Sequence, residues 1–217
     1  MRVYHFIPEQ YGLEGLHRRR LKISRLGDLN DPFELLPAAL PTPSHRKALK
    51  HFADHANARW GVICFSRTWH DPLLWSHYAD RHRGLCLGFE VPRVKLAAVE
   101  YVSGRIVLDI DRQLMKSTQD PAFGLKLMTT KYEPWSYEDE VRTFCALDDL
   151  DIGTGLYFKP FDAFLHLRQV IVGVRSSLTR QELSSAISED DGPVQLMKAR
   201  LAFNTYWVVP QRNRNLW

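Results

Sequence analysis

Apolar and polar positions along this chain change period every few residues, and the changes predict short strands alternating with interrupted helices. Val3 to Ile7 reads as an apolar strand carrying one histidine. Tyr11 to Arg19 has helical spacing at Leu13 and Leu16 and ends in basic residues, which suit a helix C-terminus. Leu21-Lys22-Ile23-Ser24 alternates, which puts Lys22 and Ser24 on the polar face of a second strand. Gly27 to Glu34 is turn-rich, and Pro37 to Ser44 is a proline-broken loop. Ser44 is read as the cap of a helix from His45 to about Trp60, with Leu49, Phe52, Ala53 and Ala56 on one face.

Gly61 to Ser66 predicts a buried strand, and Asp71-Pro72 the capped start of a helix running to about Arg81. Gly84 to Val91 is another apolar strand. Ala98 to Leu108 reads as one or two strands with a turn at Ser103-Gly104, and Asp111 to Lys131 as weakly helical stretches broken near Asp120-Pro121. Glu138 to Leu147 alternates as a strand, and Asp148 to Thr154 is an acidic loop tip. Further strands are expected at Leu156 to Phe158, Val170 to Val174, Val194 to Ala199 and Phe203 to Val209, with a capping-box helix at Thr179 to Ile187. No repeat and no regular βαβα alternation is present. The expectation is one α+β domain over residues 1–217, with mixed, mostly antiparallel sheets and flanking helices.

Composition changes this picture little. A chain 45% hydrophobic and 12% aromatic can bury a core, which excludes general disorder. The net charge of +4 suits a polyanionic ligand such as a dinucleotide, but lacks the clustered stripe of a dedicated nucleic-acid binder. The nearest basic run, His17-Arg18-Arg19-Arg20, reads as a solvated turn. Cys64, Cys86 and Cys145 have no CxxC spacing and read as free thiols in a reducing compartment. No signal peptide is seen at Met1 to His5, and no apolar run approaches the ~18 residues that span a bilayer. The expectation is a soluble cytoplasmic protein without a membrane partner.

The candidate chemistry centres on Glu138-Asp139-Glu140-Val141-Arg142. On one strand, Glu138, Glu140 and Arg142 would share a face while Val141, Thr143, Cys145 and Leu147 face a core. Such a row is either a solvated face with a cross-strand ion pair or a carboxylate poised for a developing cation. His5 sits mid-strand, as a half-buried imidazole or a ligand-holding one. Ser24 ends a strand, and Asn30-Asp31-Pro32 forms an Asx-turn or lines a site. Trp75 and Tyr78 share a helix face, for core packing or for stacking on a ligand. Ser76-His77 lacks a nucleophile elbow. His51 and His55 lack the glutamate of a zinc helix, so no metal site is expected. Phosphate cradles of the P-loop or G-x-G-x-x-G kind are absent.

Several motifs resemble a bacterial family described as domain of unknown function 2971. They are Val3-Tyr4-His5-Phe6, Lys22-Ile23-Ser24, Leu29-Asn30-Asp31-Pro32-Phe33-Glu34, Gly61-Val62-Ile63-Cys64-Phe65-Ser66, Pro72 to Ala79, Gly84 to Phe89 and Trp135 to Arg142. A looser pattern is similar to ADP-ribosyltransferases of the His-Tyr-Glu type: a strand histidine, a later strand ending in serine, an aromatic on a following helix, and E-x-E. That resemblance implies an ADP-ribosyltransferase-like fold and NAD as substrate. It implies His5 as the ribose clamp, Tyr78 as a stacking aromatic in competition with Trp75 and Tyr137, Glu140 as the catalytic acid and Glu138 as its auxiliary. Ser24, Asn30 and Arg142 complete the expected cofactor-binding set. The expected function is therefore an NAD-consuming transferase or glycohydrolase, of the kind that serves as a toxin or phage-defence effector, with a protein or nucleic-acid acceptor. Two alternatives stand beside it: a non-catalytic nucleotide-binding sensor module, and a nucleic-acid processing protein.

Overall fold

The chain is described by a computed structural model over residues 1–107 and 121–217. The weak helical stretch expected from Asp111 lies outside those residues as far as Asp120. In chain order the strands are β1 (Arg2–Ile7), β2 (Arg20–Arg25), β3 (Trp60–Ser66), β4 (Leu85–Glu90), β5 (Ala97–Ala98), β6 (Glu100–Val102) and β7 (Thr130–Tyr132). They continue with β8 (Glu140–Ala146), β9 (Leu150–Asp151), β10 (Leu156–Pro160), β11 (His166–Val172), β12 (Gln195–Leu201) and β13 (Val208–Pro210). The helices are α1 (Glu9–His17), α2 (Pro43–Arg59), α3 (Pro72–Tyr78), α4 (Pro121–Met128) and α5 (Arg180–Ser185). The result is a single α+β domain with a mostly antiparallel sheet.

Strand β1 pairs along its whole length with β4, from Arg2↔Glu90 to Ile7↔Leu85. The sheet continues outward through β11, β12 and β13, with β11 and β12 parallel. On its other side β1 meets β3 at one pair only, Tyr4↔Ser66. At the opposite end of the same β3 edge, β2 pairs through Ser24↔Val62 and Arg25↔Gly61. The far edge of β3 is paired over seven positions with β8. Ladder bonds alternate along an antiparallel strand. Val62 and Ser66 therefore bond to β2 and β1, while Cys64 between them has no strand partner on that edge. The sheet is split there, and the split becomes the cleft described below.

Alternation explains the two faces. Val3, Leu85, Leu87, Phe89, Ile63, Phe65 and Val141 point into one core, which Leu16 of α1 and Leu183 of α5 help close. Phe6, Cys86 and Ile171 point the other way and pack on Leu74 and Trp75 of α3. Val62 and Leu26 pack with Ala56 of α2. Asp71 caps α3 by accepting the Leu73 N–H, with Pro72 in the first turn, and Thr179 with Glu182 forms the expected capping box on α5.

Among the boundaries that differ from the sequence reading, three have a plain physical cause. Thr42, not Ser44, caps α2, because its hydroxyl reaches the His45 N–H and Pro43 then occupies the first turn. Helix α3 stops at Tyr78 and does not run to Arg81, since Asp80, Arg81 and His82 all take positive φ. Phe203 to Val209 is not one strand: the Ala202 N–H bonds the Trp207 carbonyl around a loop, and pairing resumes only at Val208. Gly84 follows the left-handed turn and lies against β1. A Cβ there would sit 2.2 Å from the Ile7 carbonyl oxygen and 3.0 Å from the Ala79 backbone. Gly84→Ala should cost about 1–3 kcal/mol or more, since backbone cannot yield as a side chain can. Chemical denaturation midpoints would show it.

Candidate functional site

The split in the sheet opens a cleft of about 280 Å³, at the small end for a ligand site. Its floor is β3 from Val62 to Ser66. His5 and Tyr4 enter from β1, Lys22 and Ser24 from β2, Asn30 and Glu34 from the loop after β2, Tyr78 from α3, Lys131 from β7, Glu138 from the turn before β8, and Glu140 and Arg142 from the start of β8. Of the residues expected to form a site, His5, Ser24, Asn30, Tyr78, Glu138, Glu140 and Arg142 line this one cleft. Trp75 and Tyr137 do not. Trp75 is fully buried in the core, edge-on to Phe6 and donating its indole N–H to the Trp69 carbonyl. Tyr137 is half-buried beside Trp135 and His77.

The E-x-E pair is not one strand face. Glu138 ends a short 3-10 helix, Glu133–Glu138, opened by Pro134; Asp139 is left-handed at φ 43°, and β8 starts at Glu140. The kink turns Asp139 outward to an ion pair with Arg67 at 2.6 Å. The two glutamates still converge, because Lys131 Nζ donates to both, at 2.5 Å to Glu138 and 3.4 Å to Glu140. From Glu140 onward the alternation holds: Val141 and Thr143 are buried on the core side.

Arg142, 1% exposed, is the hub. Its Nε and Nη2 grip Glu140 at 2.8 and 3.0 Å, its Nη1 and Nη2 grip Glu34, and Nη1 also donates to the Met128 carbonyl at 2.7 Å. Such forked contacts hold both carboxylates in fixed planes. On the far side of Lys131, Tyr78 donates its hydroxyl proton to Glu138 and accepts from Asn30 at 2.9 Å. The Tyr101 hydroxyl accepts the Glu140 N–H at 2.9 Å.

This network pulls the two glutamates apart electrostatically. Burial pushes Glu138 above the usual carboxylate range, and Lys131 and Tyr78 only partly offset it. Burial acts on Glu140 too, but the Arg142 guanidinium, Lys131 and the Cys64 hydrogen bond together outweigh it and hold the carboxyl below its ordinary value. Burial opposes the charge of Lys131, yet Glu140 and Glu138 raise it to about 12. Five charged side chains are thus buried together: Glu34, Glu138 and Glu140 against Lys131 and Arg142, one negative charge in excess. Two carboxylates pushed in opposite directions are the usual mark of divided acid and base roles.

The opposite wall is different. His5 Nδ1 lies 2.9 Å from the Cys64 carbonyl oxygen, the group that the split leaves without a strand partner. A carbonyl only accepts, so Nδ1 carries the proton; burial lowers the imidazole pKa, the Cys64 bond opposing. Nε2 is left as a lone-pair acceptor at the cleft. The Ser24 hydroxyl and the Lys22 ammonium, two positions apart on β2, have no protein partner among the described residues, and Asp28 stands at the same mouth. Cys64 is a protonated thiol, its pKa pushed far up by burial and then by Glu140, to which it hydrogen-bonds. All three cysteines are free.

Lys131 and Glu34 were not expected at the site. Lys131 lies on a three-residue strand too short to show alternation, and Glu34 follows a turn, where a carboxylate reads as solvated. The basic run beside α1 is tied up: Arg18 pairs with Glu14, Arg19 with Asp190 and Asp191, and Arg20 with Asp151. Among the described residues no helix is long and apolar enough to cross a membrane. No family model, curated protein or solved structure matches the chain.

Proposed function

We propose that the cleft binds NAD and breaks its nicotinamide–ribose bond, passing ADP-ribose to an acceptor or to water. The observation that carries this is the convergence of His5 with Glu138 and Glu140 on one cleft. Strands far apart in sequence deliver a neutral acceptor imidazole to one wall and a buried, net-negative cluster to the other. The order of these groups along the chain is also that of the His-Tyr-Glu ADP-ribosyltransferases, whose fold we extend to this chain on the same ground.

The chemistry follows from the charges. As the C1′–N bond breaks, its electron pair leaves with nicotinamide and the ribose becomes cationic. An excess buried negative charge favours that cation over the neutral alternatives, and more strongly where water is excluded. Glu140, held ionised by Arg142, faces the developing charge. Glu138 is the carboxylate that accepts the proton of the incoming hydroxyl or amine, so that the products are the ADP-ribosylated acceptor, nicotinamide and a proton. Nε2 of His5 accepts from a ribose hydroxyl. Lys22 supplies countercharge for phosphates at the mouth, and the small cleft holds about one half of the dinucleotide.

The test is to incubate the purified protein with NAD and follow nicotinamide release, alongside the thermal shift that NAD produces. Release with a rise in Tm is expected. The absence of both release and shift would overturn the reading. A shift without release favours a nucleotide sensor, a second reading that draws on the saturation of Glu138 and Glu140 by Lys131 and Arg142.

A further inference from the structure

The loop between β12 and β13 carries an unusual surface. Leu201, Phe203, Tyr206 and Trp207 are 55, 89, 96 and 51% exposed, four large apolar side chains within seven residues. Scattered exposed apolar residues need no explanation, but a contiguous group at one tip marks a contact surface. The loop is held firmly from beneath. The Ala202 N–H bonds the Trp207 carbonyl at 2.9 Å, Val208 is fully buried and donates its N–H to the His70 carbonyl, and His70 Nδ1 donates back to the Val208 carbonyl at 2.7 Å. Rings presented on a braced loop lose little entropy on binding.

Charge decides what they meet. Gln195 to Trp217 contains Lys198, Arg200, Arg212 and Arg214 with no Asp or Glu, which equals the whole chain's net +4. Lys198 turns inward to the Ser176 carbonyl, but Arg200 and Arg212 have no acidic partner among the described residues. The Arg200 guanidinium lies 4.7 Å over the Phe203 ring, as an arginine does beside a stacked base.

We infer that this hairpin is a stacking platform for single-stranded nucleic acid, separate from the cleft and independent of what the cleft turns over. Rings take up base faces without demanding a sequence, and the two arginines that lack an acidic partner meet phosphates. The alternatives fit less well. Membrane insertion would push Asn204 and Thr205, the polar tip of the loop, into hydrocarbon. Pairing two copies through this face would set Arg200 and Arg212 against their own kind.

The test is fluorescence anisotropy with labelled mixed-sequence single-stranded DNA and, separately, RNA. The wild-type chain should bind at least one of them, with quenching of Trp207 emission that the Trp207→Phe variant lacks. Phe203→Ala, Tyr206→Ala and Trp207→Ala should each weaken binding roughly 5- to 150-fold, with unchanged melting since each side chain is at least half exposed. Arg200→Ala and Arg212→Ala should each lower the slope of log affinity against log salt by about 0.7. Loop variants that bind like wild type would overturn the proposal. So would wild-type protein that ignores both strands, binds anionic phosphatidylserine vesicles instead, or sediments as a dimer that Tyr206→Ala dissolves.

Discussion

Arg142→Ala is expected to lower the stability of the fold by about 3–5 kcal/mol, the cost of breaking a buried ion pair by removing one partner. For a chain of this length each kcal/mol moves Tm by roughly 2–4 °C, so a fall of about 6–20 °C should be read in a thermal melt. The reason is the number of groups stranded. Arg142 satisfies both oxygens of Glu140, both of Glu34 and the Met128 carbonyl. Without it, two buried carboxylates lose their partner and Lys131 reaches only one of them. Arg142→Lys keeps the charge but not the fork, and should recover part of the loss.

Two further measurements separate stranded charge from lost packing. In wild type, Glu140 has a lowered pKa, so its contribution is present above the unfolded carboxylate value and is lost as pH falls through the folded one. In Arg142→Ala the stranded carboxylates resist ionisation instead. The gap between variant and wild type should therefore be widest at neutral pH and close as pH drops through the carboxylate range. Replacing Arg142, Glu34 and Glu140 together by apolar residues of similar volume should restore much of the stability, as buried ion clusters often allow. A gap that does not change with pH would point to lost packing.

What the sequence made legible is local. Alternation located β1, β3, β4 and β8 within a residue or two at most ends, and capping chemistry fixed Asp71 and Thr179. Asp31 closes the turn read from Asn30-Asp31-Pro32 by accepting the Phe33 N–H at 2.9 Å. Tertiary facts were hidden. Nothing local says that β1 and β2 meet opposite ends of one β3 edge, because that register is set by the packing of strands about forty to sixty residues apart. The cleft comes from that register, so its residues could be guessed one by one but not its shape. Glu138 was expected at the site, but its placement off the strand was hidden for another reason. E-x-E read as one strand face, but the left-handed Asp139 let the two carboxylates converge through a turn, with Lys131 as their bridge. The aromatic hairpin shows the converse: Phe, Tyr, Trp and Val favour strands, and the pattern could not reveal that the first three face water.

Substituting each glutamate by glutamine should abolish turnover by two different routes, and stability against pH tells them apart. Glu140→Gln removes the charge that faces the ribose cation, and nicotinamide release should fall roughly a hundred- to a thousand-fold. Glu138→Gln removes the proton acceptor, with a loss of roughly a hundred- to ten-thousand-fold for transfer. The rising acidic limb of the wild-type pH–rate profile should go with it, since that limb belongs to the carboxyl whose pKa burial raises. The stabilities diverge in sign. Because Glu138 titrates above its unfolded value, wild type gives up stability as pH climbs from the ordinary carboxylate range through that raised pKa. Glu138→Gln escapes this loss, relieves the one excess buried charge, and should melt at or above wild type at pH 8. Glu140→Gln should melt below wild type there, and converge with it as pH falls through the lowered Glu140 value. Release that survives both substitutions within a few-fold would place the chemistry outside this acid pair. Loss of release with a common fall in Tm would make the pair a structural clasp, leaving the cleft to bind rather than to react.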